Sequence, residues 1–598
     1  GTPFGLHYTS WRAPGNAAAY QLVVPLCRTN DGYARVSLDV ILLGRTTKYS
    51  MSPPAGDPIY VFQWDGKDSQ GQQVTGVRKA FLKFAYQYAS TAYSGENGGG
   101  FPDGPISTRG LNTGGGGGGS GGGGPMTATP SGNNSSGGHY MSGGAAAEET
   151  PPSYTTGGGA SRIEVPRIDY ITQVSKIGVA MATNQGLGGW TLTPNHYYDA
   201  QGEVLFMGDG SMRDATPIGT PACVFETAED EEAPAGTNWV TVVSEDGAEI
   251  YVFDAQGFHL KTLDSVTGSE IYGFGYDVNH WLTSITDQDG NVTTISRAGQ
   301  QITVAAPFGP QTVLNLNGDG YLESLVNPVQ ETNLFQYASG GMLTNVVSRR
   351  GNPYGVAYDA TGHVDRVDFP DGGAWEFART DFYRSNEVLY AAGGTRTNRY
   401  LGESEGGRRY RRTVFGPNEI GSNVVVTTQD KVEDLRTYAD GTTLSITNEP
   451  DARFGYQVMN LKKAALRMPS GLSLQVAVSN SVSLADTNDL LSVVAITNRV
   501  AINGRTSVVD YVAATRLLRV QTPEGRTYSV LFDTNDRPQS ISIPGLYAIS
   551  AAYDDQGRLR QISGGNGAEE RKLQFAYATN GYLRSLTNTL NQTYQIFA

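Results

Sequence analysis

The sequence contains little cysteine, few charged residues and no long apolar run. Two cysteines, Cys27 and Cys223, stand among 598 residues, and two thiols cannot form a disulfide framework. No run of 18 apolar residues occurs, so we expect no transmembrane helix. Charged residues make up 17% of the chain, and the formal net charge is −14. This acidic balance argues against nucleic acid as a partner, because phosphate binding requires clustered Lys and Arg.

Glycine and tyrosine are abundant instead, with 77 and 33 copies. A composition of this kind, poor in Lys and Glu, favours strands joined by tight turns over long helices. At ~150 residues per domain, the length allows about four ordinary domains or one very large β-architecture.

Two zones of different composition precede the rest of the chain. Residues 1–93 alternate apolar and polar side chains, as in residues 36–42, and this alternation predicts a β-sandwich. Residues 94–161 consist mainly of Gly, Ser, Pro and Thr, with a long polyglycine tract. Such a segment cannot bury enough apolar surface to offset its ordering entropy, so we expect a flexible surface segment or linker.

An internal repeat runs through the remainder of the chain. In its unit, an aromatic residue stands first and Asp or Ala second. Gly or another turn former stands fifth, and apolar residues stand seventh and tenth, with variable residues between. Residues 553–562 fit this unit fully. Copies that start at residues 316, 337 and 358 lie 21 residues apart. The positions that we single out in the repeats are Tyr198, Asp199, Tyr276, Asp277, Tyr358, Asp359, Gly362, Tyr553, Asp554 and Gly557.

Each unit predicts a strand, a turn and a second strand. The Asp can accept a hydrogen bond from the backbone two residues on, and the Gly accepts a positive φ. The two apolar residues have opposite parity, so they point to opposite faces of a strand unless a bulge intervenes. Hairpins of this size, stacked side by side, form a long antiparallel ribbon that must coil or close to hide its edges. The expected product is a spiralling sheet.

These units resemble the YD repeats of the RHS and teneurin families, most fully at residues 553–559. Residues 1–8 and 60–68 look like the fibronectin-plug domain that precedes the shell in teneurins and their bacterial relatives. Residues 188–192, followed by His196, look like the junction between plug and shell. The resemblance therefore divides the chain into a plug-like β-sandwich (1–93), the Gly/Ser-rich segment (94–161), the plug-to-shell junction (162–215) and the YD-repeat shell (216–598).

The resemblance implies an all-β protein: a plug sandwich followed by a hollow shell made of one spiralling antiparallel sheet. Trp64 and Trp190 would fill one opening of that shell. The number of recognisable repeats is small for a closed shell, so we expect the wall to continue beyond Ala598. No room is left for the propeller that many relatives carry after the junction, and the terminal aspartyl self-cleavage motif of the bacterial family is absent from this sequence.

The function implied is that of a non-enzymatic, secreted or cell-surface container that encloses a C-terminal toxin or effector domain beyond this chain. The alternative is an extracellular adhesion scaffold, as in teneurins, whose outer face recognises proteins or glycans. A third possibility, an enzyme acting on polysaccharide, would need two carboxylates about 5–9.5 Å apart in a cleft. No motif in the sequence points to a particular pair of acidic residues for that role.

No motif in the sequence predicts a catalytic residue, a metal site or a cofactor. The six histidines show no zinc-binding spacing. Residues 315–320 imitate the start of a calcium loop, but Val326 stands at the twelfth position and cannot supply the bidentate carboxylate. The basic run 408–412 reads as a solvated strand face balanced by Glu403 and Glu405. The segments beginning at Asn133 and Asn291 have the form of glycosylation sequons.

Overall fold

The computed structural model describes most of the chain outside the Gly/Ser-rich segment. Some features of the sequence analysis lie outside the described residues: the Gly/Ser-rich segment predicted to be flexible, Cys223, the Asn133 sequon and Arg408. The residues described are 4–27, 32–52, 54, 58–88, 167–179, 186–218, 239–382, 385–392, 396–405, 409–416, 421–428 and 430–596.

The N-terminal region is a β-sandwich, as the alternating pattern predicts. A four-stranded sheet in the order β4-β3-β6-β7 packs on the β2-β5 pair. Every second residue of β3 from Val36 to Leu42 is buried, which gives the sandwich its core. The strands are β1 (Leu6–Tyr8), β2 (Gln21–Pro25), β3 (Tyr33–Leu42), β4 (Arg45–Met51), β5 (Ile59–Gln63), β6 (Arg78–Tyr88) and β7 (Ile168–Ile177).

The Gly/Ser-rich segment connects two neighbouring strands of this sandwich. Strand β7 follows that segment in the sequence, within the region predicted as the junction, and pairs along its whole length with β6. Single 3-10 turns over Ser10–Arg12 and Ala17–Tyr20 lie between β1 and β2.

Four short strands form the junction. Strand β8 pairs with β1 from the start of the chain, and β9, β10 and β11 form a three-stranded sheet. The junction is thereby built from two distant parts of the sequence. The strands are β8 (Trp190–Leu192), β9 (Tyr197–Asp199), β10 (Val204–Phe206) and β11 (Met212–Asp214).

All strands described after the junction belong to one antiparallel sheet of 32 strands, in which each strand pairs with the next along the chain. The strands are β12 (Val240–Val243), β13 (Glu249–Phe253), β14 (His259–Asp264), β15 (Glu270–Tyr276), β16 (Leu282–Asp287), β17 (Val292–Ala298), β18 (Gln301–Ala305), β19 (Gln311–Leu316), β20 (Leu322–Val326), β21 (Thr332–Ala338), β22 (Met342–Val347), β23 (Pro353–Tyr358), β24 (Val364–Asp368), β25 (Ala374–Phe382), β26 (Ser385–Ala392), β27 (Arg396–Glu405), β28 (Arg409–Phe415), β29 (Ser422–Thr428), β30 (Glu433–Thr437), β31 (Thr443–Asp451), β32 (Gly455–Arg467), β33 (Ser473–Leu484), β34 (Val493–Ile502), β35 (Arg505–Val512), β36 (Leu517–Gln521), β37 (Thr527–Phe532), β38 (Pro538–Ser542), β39 (Ile549–Tyr553), β40 (Leu559–Gly564), β41 (Arg571–Tyr577), β42 (Leu583–Asn588) and β43 (Thr593–Gln595). Further 3-10 turns cover Ala513–Thr515 and Gly567–Glu569.

The sheet coils back on itself, so the predicted spiral is confirmed. Glu245, in the turn after β12, forms an ion pair with Lys431 before β30 at 2.9 Å. Asp289, in the turn after β16, forms an ion pair with Arg537 before β38 at 2.7 Å. In a sheet whose strands follow strict chain order, residues so far apart can meet only if the sheet curves round. None of the helical turns in the described part of the chain has the length or apolar character that a bilayer crossing requires.

A β-bulge in the repeat hairpins overrides the expectation that their two apolar residues point to opposite faces. Tyr553 pairs with Leu559 and Ala551 with Ile562, and the register shifts between the two pairs. The extra residue in β40 places Leu559 and Ile562 on the same face. The matching residues of an earlier hairpin, Leu282 and Ile285, are buried in one apolar cluster. The apolar residues of the repeats therefore cover one face of the sheet, not two.

Candidate functional site: the plug–shell junction and the seam

Four of the repeat tyrosines fasten their hairpin to the one before it. Each phenol hydroxyl donates a hydrogen bond of 2.8–3.0 Å to a backbone carbonyl that lies 15 to 18 residues earlier. Burial raises the pKa of Tyr358 to about 12, although a hydrogen bond with Tyr8 opposes the rise. These phenols therefore stay protonated and keep donating at neutral pH. The pairs are Tyr276 with His259, Tyr358 with Leu343, Tyr553 with Pro538 and Tyr577 with Leu559.

The repeat aspartates close the turns. One carboxylate oxygen of Asp277, Asp359 and Asp554 accepts hydrogen bonds from the backbone N–H groups two and four residues later. Asp199 has a further role, because its second oxygen accepts a 2.6 Å bond from the N–H of Val77. Asp199 therefore ties the junction to the sandwich at the start of β6.

The junction packs against the wall of the shell through aromatic residues. Tyr8 and Trp190 face each other across the β1–β8 pair, with ring centroids 5.6 Å apart. The Trp190 ring packs on Phe335 at 4.8 Å, and its Nε1 donates a 2.8 Å hydrogen bond to the hydroxyl of Tyr337. The Tyr8 hydroxyl donates to the carbonyl of Gly341 at 2.8 Å. Trp190 and Tyr8 thus join the N-terminal region to strands β21 and β22.

The segment that follows the first 3-10 turn contacts the shell through backbone atoms. The N–H of Gly15 donates to the carbonyl of Gly340 at 2.9 Å, and the N–H of Ala18 donates to the carbonyl of Thr361 at 2.5 Å. A Cβ at Gly362 would lie 3.1 Å from the Cα of Asn16. Glycine at position 362 therefore permits the close approach of plug and shell. Trp64 lies elsewhere, in the core of the sandwich.

Two buried histidines lie where the junction meets the first shell strands. His196 precedes β9 and His259 begins β14, and their rings stack with centroids 4.9 Å apart. Beside them, the N–H of Tyr198 donates to the carbonyl of Gly257 at 3.0 Å. Burial lowers the pKa of His196 to about 3 and the pKa of His259 well below its ordinary value. Both rings are neutral at physiological pH.

A second set of contacts joins the early and late coils of the sheet; we call these contacts the seam. Asp289 accepts hydrogen bonds from Arg537 at 2.7 Å and from Asn535 at 2.9 Å. Its carboxylate fills the space in which a side chain at Gly557 would stand, since a Cβ there would overlap Oδ2 of Asp289. The Asn291 amide donates to the carbonyl of Gln556 at 3.1 Å, so the Asn291 sequon is engaged in the seam. Nearby, Thr267 donates to Asp536 at 2.7 Å, and Arg558 packs over the ring of Phe308.

The face of the sheet that receives the plug continues as an apolar surface along the late strands. Directly opposed residues of an antiparallel pair point to the same face. Followed from Phe335 through the bulges, this pairing traces one face of the sheet as far as β43. We call it the plug-facing surface. Its large apolar residues that are between 38% and 60% exposed include Trp375, Tyr528, Ile541, Ile549 and Tyr594.

The other candidate positions fall in ordinary structural roles. Asn317 closes a turn by accepting hydrogen bonds from the N–H groups of Asp319 and Tyr321, and an open pocket of about 440 Å³ lies beside that turn. Arg411 stands opposite Glu403, and Arg409 opposite Glu405, in the register of β27 and β28. Within the described ranges, no group of three or more His, Cys, Asp or Glu side chains is arranged to hold a metal ion.

Asp289 and the two stacked histidines are the residues whose roles the sequence did not indicate. Residues 287–290 imitate the start of a calcium loop and read as a repeat turn, and nothing in the sequence connects Asp289 to Arg537. His196 stands in a segment that resembles a plug-to-shell junction, but only the fold brings it to His259.

The comparisons with known proteins agree with this architecture. A profile described as Teneurin YD-shell matches residues 237–597. Mouse Teneurin-3 is 31% identical over 138 residues, which are 23% of this chain and 5% of that protein. Human Teneurin-1 is 24% identical over 245 residues, which are 39% of this chain and 8% of that protein. The chain thus matches a small part of the length of these relatives.

Matches among solved structures include chains of Tc toxins. The Photorhabdus luminescens Tc holotoxin pore is 11% identical, and the match covers 68% of this chain and 26% of that chain with a TM-score of 0.28. The structure of TcdB2-TccC3 without its hypervariable C-terminal region is 10% identical, and the match covers 68% of this chain and 27% of that chain with a TM-score of 0.28. Because the Teneurin YD-shell profile matches more than half of the chain, the chain belongs to the teneurin YD-shell family.

Proposed function

We propose that this protein is a non-enzymatic container, secreted or held at a cell surface, whose coiled sheet encloses an unfolded polypeptide such as a toxin domain. The observation that carries the proposal is the plug-facing surface. Trp375, Tyr528, Ile541, Ile549 and Tyr594 lie on it and keep 38–60% of their surface exposed. Exposed apolar surface of this extent costs free energy in water, about 25 cal/mol per Å², and is relieved by contact with another apolar chain.

The opposite face favours the container over the adhesion scaffold. The exposed large apolar residues on it, such as Val292, Leu334 and Leu435, lie on strands that are not neighbours (β17, β21 and β30). On the plug-facing surface, by contrast, Tyr528, Ile541 and Ile549 lie on the adjacent strands β37, β38 and β39. Single exposed apolar residues are normal on protein surfaces and do not mark a binding site. A recognition surface for proteins would be expected to carry a cluster of aromatic residues.

A protease-protection experiment tests the container. The full chain is produced with an unfolded reporter polypeptide fused after Ala598, and the rate at which protease cuts the reporter is compared with the rate for the free reporter. We expect the fused reporter to be cut at least ten times more slowly. A triple variant of the plug-facing surface, with Tyr528→Ser, Ile541→Thr and Ile549→Thr, should lose most of this protection.

The matched control changes the opposite face, with Val292→Thr, Leu334→Thr and Leu435→Thr, and should protect the reporter as the unchanged protein does. Equal cutting of free and fused reporter would reject the container. Equal protection by both triple variants would reject the role of the plug-facing surface.

A further inference from the structure

The stacked histidines have no role in the container as proposed above. His259 is fully buried, and His196 keeps 6% of its surface exposed. Their rings are nearly parallel, with an interplanar angle of 17°. Imidazole is the side chain whose charge ordinarily changes between pH 5 and pH 8. Two such rings are stacked here in a buried contact between junction and shell.

Both Nδ1 atoms are occupied as hydrogen-bond acceptors. The backbone N–H of His196 donates to Nδ1 of His259 at 3.2 Å. The backbone N–H of Gly208 donates to Nδ1 of His196 at 3.0 Å. Each neutral ring therefore carries its proton on Nε2. A second proton must enter at Nδ1, where it would face a backbone donor and break the hydrogen bond.

The groups around His259 are mainly aromatic. Phe274 stacks on its ring at 4.3 Å and Phe253 at 5.0 Å. The hydroxyl of Thr262 lies 3.2 Å from its Nε2. Burial and the neighbouring His196 lower the pKa of His259, and the backbone groups of Lys261 and Pro194 oppose this only in part. An imidazolium at this position would be a buried charge without an acidic partner.

The charged groups near His196 do not compensate for a proton there. Asp209, in the turn before β11, favours the protonated ring, whereas Arg12 and Arg213 disfavour it. The remaining titratable neighbour on β13 is Tyr251, whose ring packs edge-on against His196 at 4.4 Å. On β15, Tyr276 accepts a hydrogen bond from Asn195, the residue before His196. One carboxylate therefore favours a proton on His196, and two guanidinium groups disfavour it.

We propose that His196 and His259 form an acid-labile latch, which holds the junction on the first strands of the shell at neutral pH and releases it when both rings are protonated. Release would free the backbone contacts beside the pair, at Tyr198–Gly257 and Tyr197–Phe258. The shell would then loosen at its plug end in an acidic environment. The purpose of such a latch rests on the container proposal, but its test measures the junction alone, so that either proposal can fail without the other.

Hydrogen exchange of the full chain between pH 7.5 and pH 4.5 tests the latch. Protection factors, corrected for the intrinsic pH dependence of exchange, are measured for peptides that cover residues 195–208. Each histidine with an open-state pKa near 6.5 contributes about 100-fold at pH 4.5, so protection should fall by about 10⁴-fold for the pair. Peptides from β41 and β42, near the other end of the strand order, should keep their protection.

The variants His196→Asn and His259→Asn keep an acceptor near the position of Nδ1 but cannot be protonated. Each single variant should reduce the loss of protection to about 100-fold, and the double variant should abolish it. The matched control is His280→Asn, because this exposed histidine lies in a shell turn at a φ of 60°, which Asn tolerates. The control should lose protection as the unchanged protein does.

Two results would overturn the latch: constant protection of residues 195–208 down to pH 4.5, or the same acid-induced loss in the double variant as in the unchanged protein. If the double variant does not fold, the unchanged protein decides the matter. Opening that takes up two protons changes the logarithm of the protection factor by about 2 per pH unit below the open-state pKa. A slope near zero would contradict the proposal.

Discussion

Gly557 lies where a late turn of the sheet meets the early turn that contains Asp289. Its φ is +75°, which residues with a Cβ adopt at a cost, and a Cβ at this position would overlap the Asp289 carboxylate. The sequence predicts the first requirement, because Gly at the fifth position of the repeat closes the hairpin. It does not reveal the second, which depends on a residue 268 positions earlier in the chain.

Gly557→Ala should therefore destabilise the protein more than an equivalent change elsewhere. The positive φ alone costs roughly 1–2 kcal/mol, and displacement of Asp289 adds to that cost. Gly525→Ala is the matched control, because its φ is +77° and a Cβ added there would have no atom within 4 Å. Urea unfolding of both variants measures the difference. Equal losses would show that the seam contributes nothing at this position.

The repeat aspartates make the stability of the shell depend on pH. Burial alone would raise the pKa of Asp554, but hydrogen bonds from the side chain and backbone of Arg558 lower it overall. The pKa of Asp533 is lowered in the same way by Arg537. A carboxylate with a depressed folded-state pKa stabilises the fold above its unfolded value, about 3.9, and this contribution disappears as the pH falls below that value.

We expect the free energy of unfolding to fall between pH 5 and pH 3, and Asp554→Asn to make that fall smaller. Asp555→Asn is the control, since Asp555 is the neighbouring acid in the same turn. Urea unfolding at a series of pH values measures both. An unchanged pH dependence in Asp554→Asn would contradict this role of the repeat aspartates.

Trp190 connects two elements, the short β8 strand and the wall of the shell. Its ring packs between Tyr8 and Phe335, and its Nε1 donates to the Tyr337 hydroxyl. Removal of a buried Trp costs about 3–5 kcal/mol. Because Trp190 is only half-buried, we expect Trp190→Ala to lie at the lower end of that range.

Trp190→Phe separates the two contributions, because it keeps the ring contact and removes the hydrogen bond, at a cost of about 0.5–1.5 kcal/mol. Trp375→Ala on the plug-facing surface is the control, since that ring is 42% exposed and should contribute less. Denaturant unfolding followed by tryptophan fluorescence gives all three values. A loss of unfolding free energy near zero for Trp190→Ala would show that Trp190 does not stabilise the junction.

The hairpin itself was predictable, but the face covered by its apolar residues was not. The repeat gives the strand, the Asp turn and the Gly, because these depend on residues close in the sequence. The bulge in β40 depends on how Leu559 pairs with Tyr553 across the hairpin, and the spacing of residues in the sequence does not reveal that pairing. The same limit applies to the hydrogen bond from the Tyr553 hydroxyl to Pro538, which crosses from one hairpin to the previous one.

As a whole, the molecule is a wall made from neighbouring strands and closed by contacts between distant ones. Within the 32-stranded sheet, strand pairing joins only consecutive strands, so it fixes the local wall but not how far the wall curls. The curl is fixed where the coils touch, at pairs such as Glu245 with Lys431 and Asp289 with Arg537. The sequence predicts a spiral from the twist of a long ribbon, but the partners in these contacts depend on the pitch of the coil.

The seam should therefore control the shape of the shell more than the sheet itself. Asp289→Ala leaves Arg537 without its partner from the early coil. We expect a loss of roughly 2–3 kcal/mol, below the ~3–5 kcal/mol of a fully buried pair, because the two side chains are 13% and 20% exposed. Glu376→Ala is the control, since its pair with Arg366 has a similar distance, 2.6 Å, but joins adjacent strands and is 45–60% exposed; such pairs contribute about 0–1 kcal/mol.

In these variants, small-angle X-ray scattering measures the overall size of the coil, and circular dichroism measures its strand content. If the seam holds neighbouring coils together, Asp289→Ala increases the radius of gyration while the strand signal in the circular dichroism spectrum stays the same, because every strand keeps its neighbours. Glu376→Ala should change neither quantity. An Asp289→Ala protein with an unchanged radius of gyration would mean that strand pairing and the plug contacts suffice to hold the coil, and that the seam only fills the gap between turns already fixed in place.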